Sequence, residues 1–538
     1  MALILVDGKE IAVKQGETVL QACMREGIEI PYFCYHPSLS IVGQCRMCLV
    51  KVEGAPKLLT ACTTTVPELP REKKLDGRYD MKVSVACDEA REAQRGIMEF
   101  LLANHPLDCP VCDQAGECRL QEYSYDYGAP RSEFVFEKLH APKRVVLGPH
   151  IIYDAERCIK CTRCVRFCQE ITKTSELSLV ERGADTIVGT FEGGSLDNPY
   201  SVCTADLCPV GALTYREFRF RERVWFLQAH NSVCPECSRN CSVRVDSYKG
   251  EVLRIVPRYN PSVNGYYMCD HGRLITERMR GLETRELPSL IRDGKPSPMN
   301  EKDFYARLVA LFSEKKYRPG DVAVILSGRM SLEEMAAYKR LSKELFGAVI
   351  GDVLLRSGES DDLLVRDEKR PNLEGARKLG LPVSGKDEAV SSLIGGKKAL
   401  LIIREDPVGE APQEERERLD TAIGSVETVV VMDDHLTATA ARAHYFVPLA
   451  GWFEMEGTTV NFKGQLQKTT RCVAPPEGRK PFHDVTAEFL KAAGKEAPSG
   501  FREWFEEVKK EIPVLGLVKA GEIPLKGIPL PERKEKHG

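Results

Sequence analysis

Apolar positions along the chain follow two periods. Near the amino end, Ala2-Leu3-Ile4-Leu5-Val6 and Ile11-Ala12-Val13 flank Asp7-Gly8. An Asp-Gly pair between apolar runs predicts a β-hairpin, with a helix expected near residues 17–26. An amphipathic stretch ending Ile97-Met98-Glu99-Phe100-Leu101-Leu102-Ala103-Asn104 predicts a second helix. Ser242-Val243-Arg244-Val245-Asp246 and Glu251-Val252-Leu253-Arg254-Ile255-Val256 alternate as the arms of another hairpin. Residues 321–327, 399–404 and 428–433 read as buried strands, the first followed by a helix. Strands alternating with helices predict a layered α/β sheet. The charged stretch at 71–78 reads as a solvated loop. From about residue 516 the chain is rich in Lys, Pro and Gly, which predicts an extended tail, disordered or laid on a partner.

Composition narrows the class. The 538 residues suggest three or four domains, 43% hydrophobic and 29% charged residues suit a globular protein, and a net charge of −3 gives no basic surplus for nucleic acid. No apolar stretch approaches the roughly 20 residues of a membrane span. The first ten residues lack a charged n-region and a small-residue cleavage site, so the expectation is a cytosolic chain. Disulfides are rare there, and Cys-x-x-Cys repeats are better read as metal ligands.

Fifteen of the twenty cysteines and one histidine fall into four groups with ligand spacing. The first is Cys34, Cys45, Cys48 and Cys62, four thiolates that suit a [2Fe–2S] centre. Gly43 lets its loop wrap closely, and His36 reads as a loop residue outside the ligand set. The second is His105, Cys109, Cys112 and Cys118, with Pro106 and Pro110 stiffening the turn. His105 stands where a fourth ligand is otherwise missing; neutral imidazole in place of thiolate removes one negative charge and, taken alone, raises a reduction potential. The third is Cys158, Cys161, Cys164 and Cys168, followed by Cys203 and Cys208-Pro209, a run that resembles bacterial ferredoxins. A second run ending at Cys208 would place cysteines at 198, 201 and 204, where the chain has Asn198, Ser201 and Thr204. Cys208 then completes the set of Cys158, Cys161 and Cys164, leaving Cys168 and Cys203 as buried thiols outside it. The fourth is Cys234, Cys237, Cys241 and Cys269, again suited to [4Fe–4S]. Zinc takes the same donors, so a zinc-stapled interaction protein is the competing reading for every group. Cys23, Cys87 and Cys472 stand alone and are expected to be buried.

These groups, in this order, resemble the large iron–sulfur subunit of NADH-quinone oxidoreductase, respiratory complex I. The likeness rests on Phe33-Cys34-Tyr35-His36-Pro37, on the stretch Asn104-His105-Pro106-Leu107-Asp108-Cys109-Pro110-Val111-Cys112-Asp113-Gln114-Ala115-Gly116-Glu117-Cys118, and on Asp206-Leu207-Cys208-Pro209-Val210-Gly211-Ala212-Leu213; it covers about residues 1–273. The remainder resembles a shortened molybdopterin-oxidoreductase-type domain, with Phe453-Glu454-Met455-Glu456-Gly457-Thr458-Thr459-Val460-Asn461 near its end. No Gly-rich phosphate-binding fingerprint is found there, and no molybdopterin is expected.

The resemblance implies a multidomain α+β and α/β chain. It would hold a [2Fe–2S] ferredoxin-like β-grasp domain at 1–80, a [4Fe–4S] segment with one histidine and three cysteine ligands at 81–127, and a ferredoxin-like [4Fe–4S] domain at 140–225. A molybdopterin-oxidoreductase-type [4Fe–4S] domain at 226–285, a degenerate molybdopterin-oxidoreductase-like α/β domain at 286–512 and a tail at 513–538 would follow. It implies one [2Fe–2S] and three [4Fe–4S] clusters. It also implies an electron-transfer role without a catalytic residue on this chain, between a flavin-containing NADH dehydrogenase subunit with its [2Fe–2S] companion and the quinone-side iron–sulfur subunits. The complex as a whole would translocate protons. The chain would sit peripherally on the cytoplasmic side of the inner membrane, reaching it only through partners. The Cys234 centre would lie off the main path and serve stability. The alternative is an electron-input subunit of a soluble NAD-linked hydrogenase or formate dehydrogenase.

Overall fold

The computed structural model describes residues 2–282, 287–292, 294–315, 317–384 and 387–531. The chain forms two compact units, Met1–Leu227 and Gln228–Gly538. Among the described residues no helix is long and apolar enough to cross a membrane.

The first unit opens with the expected hairpin. Ala2–Val6 pairs antiparallel with Lys9–Val13 through Asp7 and Gly8, both at positive φ (41° and 87°), the conformation a tight two-residue hairpin turn demands. Met81–Ser84 joins Ala2–Val6 in parallel, and Leu49–Val52 and Leu59–Thr60 complete a five-stranded sheet. This sheet grasps the helix Val19–Arg25. Thr18 and Gln21 cap that helix reciprocally, each side chain bonding the other's backbone N–H. Ile4, Ile11, Val13, Leu20 and Val50 are fully buried between sheet and helix, each contributing about 1.5–3 kcal/mol.

The second predicted helix runs Asp88–Ala103, and Lys138 closes its carboxyl end by donating from Nζ to the carbonyls of Leu102, Ala103 and His105 at 2.8, 2.9 and 2.9 Å. Beyond it lies a small sheet of Val145–Val146, Ile151–Tyr153 and Leu213–Tyr215. The 71–78 stretch is surface backbone, yet it carries Lys74 to a carboxylate, Asp80, whose side chain is fully buried.

The second unit begins with a three-stranded meander, Gln228–Val233, Ser242–Tyr248 and Glu251–Pro257. Its second turn repeats the geometry of the Asp7-Gly8 hairpin, with Lys249 and Gly250 both at positive φ. An eight-stranded sheet follows. Six of its strands are parallel, in the spatial order Tyr445–Pro448, Thr428–Asp433, Ala399–Ile403, Val322–Ser327, Asp352–Leu354, Val383–Ser384. Chain order reverses between Val322–Ser327 and Ala399–Ile403, so the sheet is doubly wound. Both strands are wholly buried and read as continuous apolar runs. The three strands expected from the sequence all lie at its centre.

The tail differs from the expectation of a disordered or partner-bound segment. Ile528–Pro529 pairs antiparallel with Gln465 and Leu466 of its own unit, and Leu530 N–H donates to Gly464 O at 2.8 Å. A paired backbone and the burial of Leu530 hold it there; residues 532–538 lie outside the described residues.

Candidate metal centres

The first group converges on one loop. Gly43 and Arg46 flank Cys45 with positive φ (59° and 60°), and a Cβ on Gly43 would meet Thr63 at 2.9 Å. This tight path turns the Cys45 sulfur toward two amides: Phe33 and Cys34 N–H each donate to it at 3.4 Å. The four thiols influence one another. Cys45 donates to Cys34 and draws it down to about 5, while Cys45 itself is pushed up; Cys48 and Cys62 form the same kind of pair. Thiols this close share protons that a metal would replace. His36 bonds Ser38 Oγ through Nδ1 at 2.8 Å.

The second group follows the helix Asp88–Ala103. A 3-10 turn, Cys109–Val111, carries Cys109 and leads to Cys112, and Cys118 precedes the helix Arg119–Asp126. Cys118 is raised to about 11 by burial, with the charges of Cys112 and Cys109 adding to it. Burial lowers His105 to about 4, so its imidazole is neutral, the form that binds metal. Cys112 is buried and Cys109 is exposed.

In the third group, burial pushes the Cys164 thiol well up, followed in strength by Cys161, Cys158 and Cys208. Lys160 N–H donates to Cys158 Sγ at 3.4 Å, and Lys160 and Thr162 both hold positive φ, folding the Cys158–Cys164 loop tightly. Cys168 is fully buried in a π-turn, Phe167–Ile171, and is raised to about 12 by burial and by Glu176. Cys203 is buried at the start of the helix Cys203–Leu207. Where a second cysteine run would lie, Glu176 accepts from the Asn198 side chain and from the backbone N–H of Asp197 and Asn198. Thr204 Oγ1 donates to Ser201 O at 2.7 Å. A carboxylate with its own donors fills that place.

The fourth group lies wholly in the second unit. All four thiols are buried. Cys234 is pushed well up by burial and then by Cys241 and Cys269. Cys269 caps the helix Asp270–Arg273, its sulfur accepting from Gly272 N–H at 3.5 Å. A Cβ on Gly272 would stand 2.8 Å from Cys234 Sγ, so only glycine lets that backbone approach the sulfurs.

Within the first unit the third group is joined to both others. Arg166 Nη2 donates to Cys34 O at 2.6 Å and to Cys161 O at 3.3 Å. Arg163 reaches Tyr35 O and Leu207 O, and Gln44 Nε2 donates to Lys160 O at 2.7 Å. On the other side, Arg119 N–H donates to Pro209 O at 3.2 Å. A Cβ on Gly211 would come within 2.3 Å of Cys112 Sγ. The first and second groups are joined too, by the Phe33 ring against the Tyr123 ring and by Arg119 over the Tyr32 ring.

Family models match in the same order: a "2Fe-2S iron-sulfur cluster binding domain" at residues 2–68, the "NADH-ubiquinone oxidoreductase-G iron-sulfur binding region" at 94–133, the "NADH-quinone oxidoreductase subunit 3, ferredoxin-like domain" at 148–214, the "Molybdopterin oxidoreductase Fe4S4 domain" at 227–281 and "Molybdopterin oxidoreductase" at 368–492. The mitochondrial NADH dehydrogenase [ubiquinone] iron-sulfur protein 1 of Solanum tuberosum is 35% identical over 398 residues, 73% of this chain and 50% of its own. The chain is a homologue of the large iron–sulfur subunit of NADH-quinone oxidoreductase. The 75 kDa subunit of Reclinomonas americana NADH-ubiquinone oxidoreductase is 37% identical over 352 residues, 64% of this chain and 48% of its own. The mitochondrial 78 kDa subunit of the Neurospora crassa enzyme is 37% identical over 350 residues, 64% and 44% respectively. The chain thus spans half or less of the length of these curated relatives. A chain from the crystal structure of an NAD+-reducing [NiFe]-hydrogenase matches 41% of this chain and 91% of its own at 27% identity and a TM-score of 0.36, too slight a likeness to bear on function.

Homology to the large iron–sulfur subunit leaves two features that motif reading missed. The first is the arginine pair at 163 and 166, sitting between ligand positions inside the Cys158 run. The second is a cavity of about 180 Å³ in the second unit, lined by Arg329, Arg404, Asp433, Asp434 and His435 among others. Those side chains follow the carboxyl ends of three parallel strands, where doubly wound sheets open a crevice. The three adjacent residues at 433–435 also bring their ligand atoms within 4.8 Å of one another. The strand ending at 433 was legible; the convergence of three strand ends was not. Cys87 departs from expectation too: it is half-exposed at the start of the helix Asp88–Ala103, while Cys23 and Cys472 are buried as expected.

Proposed function

We propose that this chain is the electron-relay subunit of an NADH:quinone oxidoreductase. Its [2Fe–2S] set is Cys34, Cys45, Cys48 and Cys62, and its [4Fe–4S] sets are His105 with Cys109, Cys112 and Cys118; Cys158, Cys161, Cys164 and Cys208; and Cys234, Cys237, Cys241 and Cys269. The donor chemistry fits these groups: in the first set the thiols pair with one another, in the first, third and fourth backbone amides donate to sulfur, and in the second and fourth a glycine stands where a side chain would strike a sulfur. When bound, such clusters take up and release one electron at a time.

The observation that carries the reading is the hub arrangement in the first unit. The Cys158 set is bridged to the Cys34 set by Arg166, which donates to the carbonyls of Cys161 and Cys34, and the chain after Cys208 packs at Gly211 against the Cys112 sulfur. The relay is therefore read with the third group of the sequence standing between the first and the second. The ligand thiols of the Cys234 set are all buried, whereas Cys109 of the His105 set is exposed. No side chain has to move a proton. The Cys234 set belongs to the other unit and serves chiefly to staple it.

Electrons would enter from a flavin-containing NADH dehydrogenase subunit and its [2Fe–2S] companion. They would leave to quinone-side iron–sulfur subunits of a complex that translocates protons, with this chain held peripherally on the cytoplasmic face of the membrane by its partners. The test is to purify the native assembly anaerobically from membrane and soluble fractions and identify its subunits and metals. Membrane recovery with flavoprotein and quinone-site subunits, and about fourteen irons per chain, is expected. A colourless zinc protein, or a soluble assembly with another catalytic chain, would overturn it.

A further inference from the structure

Arg163 and Arg166 are 5% exposed. Neither pairs with a carboxylate among the described residues; their hydrogen-bond partners are carbonyls and one hydroxyl, and Arg163 also lies over the Tyr32 ring at 5.9 Å. Arg166 donates to Cys34 O, Cys161 O, Ser40 O and Thr162 Oγ1, and Arg163 to Tyr35 O and Leu207 O. Glu170, one turn along from Arg166, is bonded to Ser40 instead. The Arg163 Nε is buried with no hydrogen-bond partner. Two buried cations with neutral partners are costly unless negative charge lies close by. Arg166 Nη2 lies against the carbonyls of two proposed cluster ligands, Cys34 at 2.6 Å and Cys161 at 3.3 Å, and Arg163 against those of Tyr35 and Leu207, the chain neighbours of the proposed ligands Cys34 and Cys208. A cluster held by four thiolates is a net anion and becomes more negative on reduction. A fixed cation beside it favours the reduced state.

We propose that Arg166 is a positioning residue for one-electron exchange between the Cys34 and Cys161 sets: one guanidinium nitrogen ties their backbones together, and its charge raises the electron affinity of both. This rests on the ligand sets proposed above. One electron is lost at one set and gained at the other; no bond breaks and no proton moves. Arginine suits the place because its charge does not titrate and its planar fork meets several carbonyls at once.

The experiment is an anaerobic redox titration of the full chain in its native assembly, read by low-temperature EPR, for wild type, Arg166→Gln and Arg166→Lys. Gln keeps a donor and loses the charge; Lys keeps the charge. With both signals present, Gln should weaken the reduction equilibrium of the Cys34 centre about tenfold, which is about 59 mV for one electron. The Cys158 centre should move in the same direction, and Lys should stay within about threefold of wild type. Gln and wild type within twofold of each other, or Gln and Lys equally shifted, overturns the proposal. Should Gln not retain iron, Lys decides alone: a tenfold loss with the charge kept contradicts it. A wild-type protein without a [2Fe–2S] signal would instead sink the ligand assignment beneath it.

Discussion

Replacing Gly211 by alanine should damage a cluster to which Gly211 is not a ligand. The glycine follows Cys208-Pro209-Val210, yet a Cβ built on it would stand 2.3 Å from Cys112 Sγ and 3.1 Å from Gln114 Cβ. Optimal non-bonded separations are about 3.5–4.0 Å, so the sulfur or the backbone must move by more than about 1 Å. Neither moves easily. Cys112 is buried and its N–H is bonded to Cys109 O at 3.1 Å. The Gly211 segment is pinned on both sides, by Arg119 N–H to Pro209 O and Asp154 N–H to Ala212 O. Overpacking of this kind costs about 1–3 kcal/mol. For a unit of the size of Met1–Leu227, that lowers Tm by roughly 2–12 °C. The displaced sulfur should also release the cluster of the His105 set, leaving about ten irons per chain in place of about fourteen. Iron analysis, EPR and a melting curve on anaerobically purified protein read all three effects. A Gly211→Ala protein with full iron and an unchanged Tm would refute the contact, and with it the coupling of the two sites. Gly96→Ala serves as the control. Gly96 is exposed within the helix Asp88–Ala103 with nothing near its absent Cβ, so alanine there should stabilise by about 0.5–1 kcal/mol.

Asp80 is buried, which raises its pKa, but the N–H groups of Leu3 and Leu69 and the Lys74 ammonium outweigh this and hold it below the usual range. A depressed pKa gives stability that is present above the unfolded value of about 3.9 and lost as pH falls through the folded value. Asp80→Asn should therefore cost about 1–3 kcal/mol at neutral pH, with the gap to wild type closing below about pH 4; denaturant midpoints across pH check this, and a constant gap would contradict it. Arg404→Met leaves Glu334 buried without its bidentate partner and should destabilise the second unit by about 3–5 kcal/mol, read from chemical unfolding. Cys241→Ser should remove about four irons while quinone reduction by the assembled complex continues; loss of that activity with assembly intact would put the Cys234 centre on the path.

What was legible in the sequence was local or repeated. Asp7-Gly8 announces its turn because few residue pairs hold two positive φ values. Residues 399–403 announce a central strand because a doubly covered sheet tolerates an unbroken apolar run. The cysteine groups stand out as a repeated short spacing, which made them the candidate ligand sets. What escaped reading was set by contacts far apart in the chain. Arg166 lies 132 residues from Cys34, and nothing beside it in sequence marks it as buried. The tail at 528–530 reads as a loose Pro-Gly segment because its partner strand, Gln465–Thr469, lies far back in the chain and offers an open edge. The Glu176–Asn198 bond explains in space what the missing cysteines at 198, 201 and 204 only hinted at.

The central claim is that electrons cross the first unit through the Cys158 centre. Freeze-quenched EPR of the native assembly after mixing with NADH tests it most directly. The Cys34 signal is expected to rise first, the Cys158 signal next and the His105 signal last. A His105 signal that rises before that of the Cys158 centre would contradict it.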